Sequence, residues 1–166
     1  MTGYDLSRFT QAHRFNYDRA LREIRNGVKE SHWMWYIFPQ VIGLGHSETS
    51  QYYAIRSLGE AWAFANDPYL GGNLREITQA VLDLRQHNAR EIFGVTDEKK
   101  LRSCMTLFAF VCEDNQLFLD VLDQYFDGRR DPGTQAIIES LFAALRRARE
   151  QAAAQNGVGE EGASDE

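Results

Sequence analysis

Cysteine and proline are both scarce in this chain, and basic residues are outnumbered. There are two cysteines and three prolines in 166 residues. Cys104 and Cys112 are eight positions apart, which on one helix separates their Cα atoms by about 12 Å at 1.5 Å per residue. A disulfide spans only about 4.4–6.8 Å, so the two cannot pair within such a helix. Thiols of this kind fit a reducing cytoplasm. The four histidines stand apart at 13, 32, 46 and 87, with no CxxC or HExxH pattern, so no metal ligand set and no cofactor is expected. The formal net charge is -6, and Glu160, Glu161, Asp165 and Glu166 near the C-terminus leave 20 acidic residues against 18 basic ones in 1–159. That balance carries no strong signal for nucleic-acid phosphates. No run approaches the roughly 18 apolar residues that cross a bilayer. The opening "MTGYDLSRFTQAH" is polar where a secretory signal is apolar. The expectation is a soluble, cytoplasmic protein. An alternating β pattern of useful length is missing, as is any internal repeat.

What remains is helical periodicity. Hydrophobic residues make up 43% and aromatics 12% of the chain, enough for one globular core. Over 6–26, Phe9, Ala12, Tyr17, Ala20, Leu21 and Ile24 recur at helical steps, with Asp5 or Ser7 as cap and Asn26-Gly27 as stop. Ser31 is placed to cap a short helix from Trp33 to Phe38, ended by Pro39. A buried strand is the rival for that run. "GLGHS" follows as a loop, and Ser47 can cap a helix through Ile55. "SLGE" at 57–60 is a capping box. Its helix stops at Asp67-Pro68, and Leu70, Leu74, Ile77, Val81 and Leu84 mark an amphipathic helix over 69–87. "EIFG" at 91–94 reads as a short turn-like element. Thr96 then caps a helix to about Cys112, Asn115 opens another closed by Gly128, and Asp131-Pro132 starts the last. That last helix shows Ile138, Leu141, Phe142 and Leu145 on its apolar face. The fold class expected is all-α: a compact single-domain bundle of about seven or eight short helices over 1–149. Residues 150–166 are expected to be a disordered acidic tail.

Three stretches mix polar and aromatic residues beyond what packing needs. In "SHWMWYIFPQ", residues 31–40, His32, Trp35 and Tyr36 share one side of a helix, and Trp33 and Ile37 another. His32 has the chemistry of a general acid/base, and Gln40 that of an amide reading a heterocycle edge. In "GLGHSETSQYYAIRS", Ser47 stands at a helix start, and Tyr53 and Arg56 lie three apart where both can face an anion. In "DEKKLRSCMTLF", Lys99, Arg102, Ser103 and Thr106 fall opposite Leu101, Cys104 and Phe108, and a cation with two hydroxyls can hold an oxyanion. Lys100 borders the apolar stripe, so its stem can pack while its ammonium reaches a cleft.

The run "ALREIRNGVKESHWMWYIFPQVIGLGHS", with "YAIRSLGEA", "EIFG" and "KLRSCMTLF" in that order, resembles the family called domain of unknown function 1810. The resemblance spans roughly residues 4 to 145 and is most specific from His32 through Gly45. It implies a compact, mainly helical single domain and carries no activity. Cys104 departs from the family pattern, where a serine is common.

These observations point to a small-molecule pocket for a nucleotide- or ADP-ribose-like ligand. Trp35, Gln40, Ser47, Tyr53, Arg56, Ser103 and Thr106 are its expected binding residues. If the protein is an enzyme, N-glycosidic hydrolysis is the reaction, with His32 and Lys100 as catalytic residues. The alternative is a protein–protein interaction module without catalysis.

Overall fold

The computed structural model describes residues 3–164, with side chains through 156. The fold is all-α. Its helices are α1 (Ser7–Arg25), α2 (Met34–Ile37), α3 (Glu48–Tyr52), α4 (Leu58–Asn66), α5 (Pro68–Asp83), α6 (Ala89–Val111), α7 (Gln116–Phe126) and α8 (Pro132–Ser164). Among the described residues the β structure is one isolated parallel bridge, Val41 to Ile55.

Local chemistry explains most of the boundaries. Asp5 accepts the Ser7 N–H at 2.9 Å in front of α1, and Gly27 leaves it at φ +85, a backbone state that glycine takes without strain. Ser57 accepts from the Glu60 N–H at the start of α4. Asp67 ends α4 and caps α5 through the Tyr69 and Leu70 N–H groups, with Pro68 as first residue. Asp131 does the same for α8, accepting from both the N–H and Oγ1 of Thr134.

The core is an aromatic chain through the bundle. Phe9 of α1 meets Phe64 of α4 edge-on, with centroids 5.0 Å apart. Phe64 meets Phe108 of α6 at 5.7 Å, and Phe108 meets Phe118 of α7 at 6.0 Å. All four are fully buried, and each such burial stabilises by about 1.5–3 kcal/mol. α1 packs on α5 and α2, and α6 on α7, α4 and α8.

Several boundaries differ from those read in the sequence. Ser31 does not cap α2; its N–H and Oγ both donate to Glu23. α3 ends at Tyr52 rather than Ile55, because the Ile55 N–H donates to the Gln40 carbonyl and its own carbonyl accepts from Ile42. "EIFG" is helical rather than a turn, but it does end as a short element of its own: α6 breaks at Gly94, where φ is 84 and ψ is 170, and a second helical segment runs on to Val111. α6 and α8 are also long rather than short. α8 continues as helix where a disordered tail from 150 is expected; Ala152, Ala153 and Ala154 have the highest helix propensity of any residue. Side chains 150–156 are exposed and add nothing to the core. The remainder of that expected tail, from 157, lies outside the described side chains, and Asp165 and Glu166 lie outside the described residues.

Candidate functional site

The segment after α1 is held by one carboxylate. Glu23 is buried and accepts four hydrogen bonds: from the N–H of Glu30 (2.6 Å), the N–H and Oγ of Ser31 (2.8 and 2.6 Å) and the indole N–H of Trp33 (3.0 Å). Burial pushes its pKa up, but the four donors outweigh burial and hold the carboxyl at about 2. Trp33 is thereby fixed in the core, and Trp35, two positions on, is left half-buried.

Two lysines share one acid behind these rings. Asp97 pairs with Lys29 at 2.8 Å and with Lys100 at 3.3 Å. Lys29 lies over the Trp33 ring at 5.0 Å and Lys100 over the Trp35 ring at 4.4 Å. Each is a cation–π contact, stronger where water is excluded.

The facing segment is braced from α1. Arg8 donates from Nε to the Tyr52 carbonyl and from Nη2 to the Ala54 carbonyl, both at 2.9 Å. It pairs with Glu60 at 2.9 Å, and Glu60 accepts the Arg56 N–H at 3.0 Å. Both side chains are about nine-tenths buried, so removing either one strands the other's charge. This brace and the Val41–Ile55 bridge set Tyr53, whose ring lies 5.0 Å from Tyr36 and 4.8 Å from Tyr52.

Trp35 and Tyr53 wall two depressions. The narrow one, about 20 Å³, is lined by Gln40, the 41–45 backbone loop, Ser50 and Gln51 together with those rings. The open one, about 560 Å³, is lined by His32, Tyr36, Glu48, Thr49 and Tyr52 on the other side. Behind the open basin lies His13, fully buried. Its Nε2–H donates to the Tyr36 carbonyl at 2.8 Å and its Nδ1 accepts from Asn73 at 3.0 Å. Burial drives its pKa down to about 4, so the ring is neutral at pH 7.

Of the residues expected at the site, the structure sets His32, Trp35, Gln40 and Tyr53 on the two depressions, whereas Lys100 lines neither and is spent on Asp97 over the Trp35 ring. It does not bring the others there. Ser47 is exposed and spends its Oγ on capping α3, accepting from the Ser50 N–H; Ser50 is the serine that lines the narrow cleft. Arg56 is exposed and reaches only the Gln51 carbonyl at 3.5 Å, not an anion site shared with Tyr53. Ser103 and Thr106 are buried instead of forming an open cationic face. Thr106 donates to the Arg102 carbonyl and accepts the Asp131 N–H, which ties α6 to the start of α8. Arg102 is likewise used on the carbonyls of Arg129 and Arg130. His32 is exposed, and among the described residues no side chain or carbonyl bonds its ring.

Residues that the sequence reading did not single out complete the site. Glu23, Asp97, Arg8 and Glu60 hold its walls, and Ser50, Gln51 and Tyr52 line it. Asp97 and Lys100 had a local signal in their i,i+3 spacing. Arg8 and Glu60 are 52 residues apart and had none.

Among the described residues, no group of histidine, cysteine and acidic side chains is set to hold a metal, and no helix is long and apolar enough to cross a membrane. No curated protein matches the chain. The conserved hypothetical protein Rv1873 from Mycobacterium tuberculosis is similar in structure, with a TM-score of 0.80 and 41% sequence identity, over 82% of this chain and 97% of that one. A family described as protein of unknown function (DUF1810) matches residues 3–138, a span that contains every residue of both depressions. The chain belongs to the DUF1810 family.

Proposed function

We propose that the protein binds a small, flat, polar ligand of nucleotide or ADP-ribose type against Trp35 and Tyr53. One observation carries this reading: Trp35 and Gln40 of one stretch and Tyr53 of another line one cleft together with the 41–45 loop, and the two rings continue into the open basin beside it. Aromatic walls supply stacking surface, and the Gln40 amide supplies a donor and an acceptor for a ring edge. The Ile42 N–H is spent on the Ile55 carbonyl, and the Gly43 to Gly45 backbone beyond it borders the cleft, where its N–H groups suit a ligand oxygen. Lys100 and Asp97 hold the Trp35 ring from behind.

Binding is supported further than hydrolysis. His32 lines the neighbouring basin and lacks the carboxylate or carbonyl partner that orients a working acid/base. It stands at the rim where a ligand extending from the cleft would pass, which keeps N-glycosidic cleavage as the reaction to test. The exposure of Tyr52, 54%, favours the second reading, a protein-docking face on the basin side.

Thermal shift against NAD, ADP-ribose, AMP and adenosine tests the proposal. A ligand at 100 times its Kd adds about 2.7 kcal/mol, roughly 5–10 °C for a chain of this length. Trp35→Ala and Gln40→Ala should abolish the shift while circular dichroism stays helical. No shift with any of the four compounds removes the reading. If one binds, product analysis with wild type and His32→Gln separates hydrolysis from binding alone.

A further inference from the structure

A third depression lies far along the chain from the proposed ligand site, between α6 and α8. It is an open groove of about 270 Å³, with Ala109, Phe110 and Ile138 along its floor and Arg130 and Glu139 at its rim. Beside it the apolar surface continues outward. Phe110, Phe142 and Leu145 are 51%, 46% and 41% exposed, and Phe110 meets Phe142 edge-on at 6.2 Å. Scattered exposed apolar residues need no explanation, but a contiguous set beside a groove does.

Charge indicates what covers it. On α8, Gln135, Ile138, Phe142, Leu145 and Arg149 follow one stripe at helical spacing, flanked by Glu139 and Arg146. Glu139 and Arg149 are ten residues apart, about 15 Å along the axis. Among the described residues, Arg130, Glu139, Arg146, Arg149 and Glu150 have no ion-pair partner. Within the stripe, Glu139 stands toward one end and Arg146 and Arg149, with Glu150 beside them, stand at the other, and apolar residues lie between. Two such stripes laid antiparallel match: Glu139 of each copy meets Arg149 of the other, and Phe142 and Leu145 face their counterparts. Laid parallel, the same stripes put acid on acid and base on base, which is disfavoured.

We propose that the α6–α8 face is the contact between two copies of this chain, with the α8 helices antiparallel about a two-fold axis. Such an interface is self-complementary, each residue meeting its partner twice. The stripe from 135 to 149 is about 21 Å long and one helix diameter, about 10 Å, wide. That footprint is well below the roughly 800 Å² per partner of a standard stable interface, so the dimer is weak and concentration-dependent.

Sedimentation equilibrium from about 10 µM to 1 mM, the range of weak specific association, tests this. Wild type should pass from the monomer mass to twice that mass across the series. Phe142→Glu, at an exposed position, should stay monomeric and keep its helical content. Glu139→Arg should raise the dissociation constant at least about tenfold by setting arginine against arginine. The double variant Glu139→Arg with Arg149→Glu should restore dimerisation, since it reverses the pair. A wild type still monomeric at 1 mM overturns the proposal. So does a dimer that survives Phe142→Glu. Loss of dimer in the single charge variant without recovery in the double variant overturns the antiparallel register.

Discussion

Two buried titratable residues, Glu23 and His13, work in opposite chemical states. Glu23 is a charged acceptor for four donors, so Glu23→Ala strands the N–H groups of Glu30 and Ser31 and the indole of Trp33. Hydrogen bonds to charged groups are worth about 1.5–3 kcal/mol each and do not simply add, so the expected loss is at least about 3 kcal/mol in a urea melt. Glu23→Gln keeps the shape and should cost less than half of that. His13 is held neutral by burial, with a folded pKa of about 4 below the ordinary 6.5. Between those values the unfolded chain binds a proton that the folded chain refuses. Stability from this group is therefore complete above pH 6.5 and falls as pH drops toward 4, by about 3 kcal/mol in all. Thermal midpoints of wild type should decline from pH 7 to 5, and His13→Gln should flatten that decline. A wild-type profile level over this window would contradict a neutral buried ring. Glu23, with a folded pKa of about 2 against 4.5, adds its own loss only below pH 4.5.

Element boundaries were legible where the cap lies within three residues of what it caps. Ser57 with Glu60 and Asp131 with Pro132 read directly from local spacing as helix starts, and Asp67-Pro68 as a helix stop, and all three stand in the structure, where Asp67 also caps α5. Ser31 and Ile55 were misread for one reason. Each is bonded to a residue too distant in sequence for a local pattern to register: Glu23 for Ser31, Gln40 for Ile55. The α4–α5 corner has a similar hidden constraint in adjacent glycines. A Cβ on Gly71 would collide with the Ala65 backbone carbonyl, whereas one on Gly72 meets nothing within 4 Å. Gly71→Ala should destabilise by about 1–3 kcal/mol, as overpacking against backbone does. Gly72→Ala should stabilise by up to about 1 kcal/mol through helix propensity and a less flexible unfolded chain. Equal effects of the two substitutions in denaturant melts would mean that the corner relaxes.

At the scale of the molecule, helical periodicity identified a bundle but not which faces the bundle covers. Lys99, Arg102, Ser103 and Thr106 do share one side of α6, yet Ser103 and Thr106 are buried, because α7 and α8 pack around that helix. Trp35, Gln40 and Tyr53 stood out by residue type among their neighbours, and the fold sets all three on one cleft, which no local pattern encodes. The end of the body follows from the same burial. Ile138 is the last buried residue among those described, and every side chain from Ala144 to Asn156 is exposed. A projecting helix of this length is marginal without tertiary contacts, so it takes its register from the body and returns little stability. A chain ending at Glu150 should therefore melt within about 2 °C of the full chain, where about 2–4 °C corresponds to 1 kcal/mol. The comparison belongs at about 5 µM, below the range in which α8 pairing adds stability by mass action. A drop of more than about 4 °C at that concentration would show that residues beyond 150 pack on the body after all.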